Sequence, residues 1–108
     1  MKKFQFNDMK GGWFIGNFEP TAFKTSEFEV AVISHKQGEM WDKHYHKKSK
    51  EITLVLKGKI KLDDEILSKG DIFLIEPDET VDPEFLEDTE VIVIKTPSIT
   101  NDKYIIER

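Results

Sequence analysis

Two histidines one residue apart, His44 and His46, and a glutamate shortly after them, Glu51, are the residues of this chain whose types could do chemistry together. On a β-strand, alternation sends His44 and His46 to one face and Tyr45 to the other. Two imidazoles on one face can aim their ring nitrogens at a common point, as two metal ligands must. The run "KKSK" at 47–50 reads as a polar tight connection, and Glu51 then opens the next strand. A hairpin here would set Glu51 beside the histidines and facing the same interior. Two imidazoles and one carboxylate with open positions suit Fe(II), Mn(II), Zn(II) or Ni(II). A bare H-x-H is a weak signal, because strand histidines are often ordinary surface residues. The glutamate and the bracketing Gly38 and Gly58 strengthen it.

Other chemistries have less support. The chain contains no cysteine, which removes disulfides, zinc–thiolate sites and thiol catalysis. No G-x-S-x-G and no glycine-rich phosphate loop is present. His35 has no ligand-spaced companion and reads as a surface or turn histidine. Trp41 precedes the histidine strand, where it could wall a pocket or pack over a barrel end. Lys43, Lys47, Lys48 and Lys50 flank the histidines. They read either as a solvated hairpin end or as charges that keep the imidazoles neutral and draw an anionic ligand.

The elements that would position these residues are strands. "FEVAVISH" (28–35) alternates, with Phe28, Val30 and Val32 on one face and Ala31 and Ile33 on the other. "ITLVLKG" (52–58) is apolar on both faces, as a central strand would be. "KIKL" (59–62) alternates, while "IFLIEP" (72–77) and "EVIVIK" (90–95) are further apolar runs. Turn signals such as "KQG", "DDE", "SKG" and "LEDTE" separate them, and no apolar period of helical spacing persists. Short strands with compact turns indicate an all-β sandwich or barrel. "GGWFIGNF" (11–18) reads as a turn feeding an aromatic strand, and "KYIIER" (103–108) as a final strand. Either could pair with a second copy of the chain.

Composition sets outer bounds. A length of 108 residues suits a single domain, 1–108, with a core of about 28–96. The net charge of −5 argues against a nucleic-acid partner. Fifteen of the 16 basic residues are lysine, so bidentate arginine clamps for phosphate or carboxylate are nearly absent. The start "MKKFQFNDMK" lacks the apolar run of a secretory signal, and no stretch approaches a membrane span. The expectation is a cytoplasmic protein with no membrane partner.

The segment 38–58 resembles the first motif of the cupin superfamily, G-x5-H-x-H-x3/4-E-x6-G. Gly38, His44, His46, Glu51 and Gly58 fall at its specified positions. The second motif, G-x5-P-x-G-x2-H-x3-N, is half present in "GDIFLIEPDETVDPEF". Gly70 and Asp71 match, but Glu76 stands at the proline with Pro77 beside it. Asp78 replaces the glycine, Val81 the ligand histidine and Phe85 the asparagine. The resemblance implies a small jelly-roll barrel, the double-stranded β-helix, with a pocket in its mouth. It also implies His44, His46 and Glu51 as ligands of a divalent transition metal. Asp82 could replace the missing fourth ligand only if a bulge shifted the register. Trp41, Lys50 and Val81 are the expected ligand-contacting residues, Val81 leaving a more open, apolar wall.

The function expected is binding of a small, sugar-like or anionic metabolite at that metal site. Cupins include dioxygenases, sugar isomerases and decarboxylases, so the fold alone does not choose a reaction. Two alternatives stand beside it: a metal-free ligand-binding module, and a metal-free sugar isomerase or epimerase with a histidine base. A homodimer is the expected assembly.

Overall fold

A computed structural model describes residues 1–106, so the last two residues of "KYIIER" lie outside the described residues. Among the described residues a short 3-10 turn, Phe6–Asp8, precedes ten strands. They are β1 (Trp13–Ile15), β2 (Glu29–His35), β3 (His44–His46), β4 (Lys50–Lys57) and β5 (Lys59–Leu62). There follow β6 (Glu65–Ser68), β7 (Ile72–Ile75), β8 (Glu84–Phe85), β9 (Thr89–Thr96) and β10 (Lys103–Ile105). The chain is all-β, as expected. "EILS" at 65–68 is a strand that its flanking turn signals hide in the sequence.

A five-stranded antiparallel sheet runs β1-β2-β9-β4-β7. The β-branched run of β9 is central, paired to β2 on one side and β4 on the other. Its inward residues Val91 and Val93 are buried, while Ile92 and Ile94 between them are not. The same alternation turns Ala31, Ile33 and His35 of β2 and Thr53 and Val55 of β4 inward. Opposite lies a three-stranded sheet, β6-β5-β8, that contributes Ile60 and Phe85. These residues with Val55, Val91 and Val93 form the core cluster. Gly58 turns the chain from β4 into β5 at φ +92°, where a Cβ would run into the backbone oxygen of Asp88.

The third sheet holds the histidines. β3 pairs with β10, and His44 also forms an isolated antiparallel bridge with Val81. β3 and β4 are therefore not partners in a hairpin, which corrects the sequence expectation. The "KKSK" connection carries the chain from the small sheet to the large one instead. Its backbone donors are gathered by a distant carboxylate, Asp102, which accepts from the N–H groups of Lys47, Lys48 and Ser49 at 3.2, 3.1 and 2.9 Å. Both terminal segments pair within the chain, β1 on β2 and β10 on β3. Among the described residues, no helix is long and apolar enough to cross a membrane.

Candidate functional site

A cavity of about 270 Å³ opens between the sheets. Its body is apolar, walled by Ile60, Leu62, Phe73, Ile75, Phe85 and Val93 among others. One end is polar. There the lining includes His44 and His46 from β3, Glu51 from β4, Lys95 from β9 and Lys103 from β10.

The two histidines are buried, His46 with only 3% of its surface exposed. Their rings lie 5.3 Å apart, edge to face. Each Nδ1 is anchored on a backbone carbonyl at 2.8 Å, His44 on Asp42 and His46 on Asp102. Because a carbonyl only accepts, each Nδ1 carries the hydrogen and each Nε2 is left with its lone pair. His46 Nε2 is buried and lacks a hydrogen-bond partner among the described residues. Burial pushes both imidazoles below their ordinary pKa. Lys103 adds to this at His44, and Lys95 and Lys103 at His46, against the upward pull of the backbone carbonyls. Both rings are neutral bases near neutral pH.

Glu51 reaches the same cavity wall without the expected hairpin. It belongs to an inward-facing row across three strands, Glu29–Lys95–Glu51, in which Lys95 is the direct cross-strand neighbour of both carboxylates. The Lys95 ammonium also sits 5.2 Å over the Trp13 ring. At Glu29, burial raises the carboxyl's pKa more than the Lys95 charge lowers it.

Does this set hold a metal? Among the described residues, no three His, Asp, Glu or Cys side chains gather into a group that could hold an ion. Two neutral imidazoles suit a divalent cation, but two fall short of the three protein ligands usual at a catalytic metal. Glu51 has an ammonium as its cross-strand neighbour, and Lys95 and Lys103 act on the imidazoles in the sense that disfavours any further cation. Of the described residues at this end, only the two imidazoles suit a metal, one ligand short of that usual set.

Val81 and His44 exchange both backbone hydrogen bonds, N–H to carbonyl at 2.9 and 2.6 Å. Directly opposed residues present side chains to the same face, and Val81 lines the cavity. Asp78, at the second motif's glycine position, adopts φ +71° and donates its N–H to the His46 carbonyl at 2.6 Å. A positive φ at the position where the motif has glycine is thus carried here by an aspartate. Asp82, next after Val81, is not among the cavity-lining residues. Lys50 also stands outside the lining, half-exposed, with its ammonium 3.9 Å from Glu76.

Trp41 lines the cavity and donates its indole N–H to Glu39 at 2.6 Å. The Lys103 ammonium lies 4.8 Å over its ring. His35 is not the surface residue its sequence context suggested. It is 8% exposed, stacks on Phe85 with ring centroids 4.0 Å apart, and shares a 2.6 Å hydrogen bond through Nδ1 with Glu39. That carboxylate makes burial of the ring tolerable. Burial acts upward on Glu39, but its hydrogen bonds to His35 and Trp41 outweigh it and hold the carboxyl below its usual pKa.

Sequence reasoning missed Lys95, Lys103, Trp13 and Asp102. Lys95 had a signal: it continues the inward series Val91, Val93 by strand parity. Asp102 had none, since it acts on residues more than fifty positions away.

No protein-family model matches the chain, and no curated protein does. Solved structures do. A conserved protein with a double-stranded β-helix domain from Klebsiella pneumoniae superposes with a TM-score of 0.68 at 18% identity, over 78% of this chain and 74% of that one. KdgF from Halomonas sp. is 26% identical over 68% of this chain and 72% of its own, with a TM-score of 0.60. A nucleoside dehydratase from Streptomyces is 13% identical and covers 99% of this chain and 92% of its own, with a TM-score of 0.72.

Proposed function

We propose, from a fold shared with double-stranded β-helix and cupin-domain proteins, that the cavity binds a small metabolite with an anionic or sugar-like end, met directly by His44, His46, Lys95 and Lys103. The observation that carries this reading is the buried His46 Nε2, left without a partner in the cavity wall. An unpaired buried polar atom costs about 1–3 kcal/mol. A ligand hydroxyl donated to that lone pair removes the cost. Lys95 and Lys103 add two positive charges at the same end, and the apolar walls accommodate the ligand's body.

The same atoms support acid–base chemistry. His46 Nε2 can take a proton from a hydroxyl-bearing carbon beside a carbonyl and deliver it to the carbonyl carbon, while the hydroxyl proton passes to the former carbonyl oxygen, which balances an isomerisation. The nearby ammonium groups stabilise the negative charge that builds up on the carbonyl oxygen.

In a second reading His44 and His46 would hold a divalent metal. It is favoured by the anchoring of both Nδ1 atoms on carbonyls, the arrangement common to ligating histidines. A bound ion would supply Lewis-acid polarisation of a ligand oxygen.

One set of measurements tests both. Hydroxy acids, sugar acids and sugar phosphates are expected to raise the melting temperature of the parent, and not that of His46→Gln or Lys95→Gln. Equal responses of parent and variants would overturn the first reading. Stoichiometric transition metal in freshly purified protein, with Ni(II), Mn(II) or Zn(II) stabilising the parent but not a His44→Ala/His46→Ala variant, would establish the second in its place.

A further inference from the structure

We infer that the outer face of the five-stranded sheet is the interface through which two copies of this chain associate. The register aligns two unbroken apolar rows across four strands. One row is Val30–Ile94–Ile52–Leu74 and the other Val32–Ile92–Leu54–Ile72. Their inward neighbours are the cavity and core residues, so all eight side chains point away from the barrel. None of the eight is buried, and on β7 Ile72 and Leu74 are 67% and 50% exposed. A one-sided antiparallel sheet ordinarily shows polar residues on its free face. This sheet carries aliphatic residues on both.

The occupant follows from shape and charge. A flat aliphatic sheet face is matched by another such face, which packs on it about 10 Å away with interdigitating side chains. Each copy of the chain carries one. The rim is polar at both ends of the rows. Lys50 and Glu76 form an ion pair at one end, and Lys57 and Glu90 are cross-strand neighbours at the other. Because each end carries both signs, opposite charges can meet across a two-fold axis whether it brings like or unlike ends together. With strands about 4.8 Å apart and rims included, the face measures roughly 20 by 20 Å. That is about 400 Å² per partner in projection, to which the relief of the side chains adds, in the range of the smaller specific interfaces, which bury under about 1,200 Å² in total. An apolar centre within a charged rim is the usual anatomy of such a contact.

This assignment moves the expected dimer contact away from β1 and β10, whose pairing is satisfied within the chain. It is independent of what the cavity binds. Size-exclusion chromatography with light scattering, at tens of micromolar protein, is expected to give twice the chain mass. Leu74→Lys and Ile72→Lys, both at positions open to solvent in the single chain, are expected to shift the parent to one chain mass with unchanged far-UV circular dichroism. Ile66→Lys, an equally exposed aliphatic position on β6 of the other sheet, is the control and should leave the dimer intact. A parent of one chain mass would overturn the inference without any variant. So would a dimer that survives both β7 substitutions, or one that only Ile66→Lys dissociates.

Discussion

At the scale of single residues, the site is governed by what burial does to two imidazoles. His44 and His46 have pKa values below the ordinary 6.5 because their surroundings penalise the charged ring. The unfolded chain therefore takes up protons first as the pH falls, and stability is lost from about that ordinary value downward through the lowered folded values. Above it both states hold neutral rings and the two groups contribute no slope. Melting temperature followed from pH 8 to pH 5 should fall less steeply in a His44→Gln/His46→Gln variant than in the parent. Identical slopes would show that the imidazoles are not the groups responsible. The spacing of these histidines was legible in the sequence. Their protonation state was not, because the lysines nearest in sequence are not those that act on them; Lys95 and Lys103 are, from strands β9 and β10.

At the scale of elements, the decisive device is the clamp that Asp102 places on the connection between β3 and β4. Its carboxylate is 6% exposed and is held in its charged form by the backbone N–H groups of residues 47–49, which outweigh the upward push of burial. Its own carbonyl orients His46. One residue thus fixes both the path of the loop and the tautomer of the ring. Asp102→Ala leaves three backbone donors without their acceptor and should lower unfolding free energy by about 2–4 kcal/mol. Asp102→Asn keeps an acceptor oxygen and should lose less. Urea denaturation that finds both variants as stable as the parent would remove the clamp from this account. The hairpin expected between β3 and β4 failed for the same reason. Local turn composition says that the chain bends at "KKSK", but the strand it then joins is chosen by β7 and β9.

At the scale of the whole molecule, core and cavity share their walls. Ile60, Phe85, Val91 and Val93 belong to the buried cluster and also line the cavity. Phe85→Ala should therefore do two things at once: lower unfolding free energy by about 3–5 kcal/mol, and loosen His35, whose ring stacks on it. A loss below about 1 kcal/mol would mean that the barrel collapses onto the gap, contrary to the close packing assumed. The second motif's asparagine position is thus occupied by a residue that packs rather than one that bonds. The barrel keeps its shape while the polar set at its mouth differs from the motif's.

Strand periodicity, turn residues and the register from Gly38 to Gly58 were enough to specify an all-β barrel and the face shared by His44 and His46. Those features are local: alternation and turn chemistry depend on neighbours a few residues apart. Parity held a further signal that the sequence reading did not use: continued along β2 and β9 it sets His35 and Lys95 on the inward faces, whereas the sequence context of His35 suggests a surface or turn residue. Only the tertiary structure decided that Glu51 has Lys95 as its cross-strand neighbour and that Val81 stands opposite His44. It alone brought Asp102 and Lys103 from the end of the chain to the histidines. Each of these is a pairing between strands distant in sequence, selected by the packing of whole sheets rather than by any short stretch of residues.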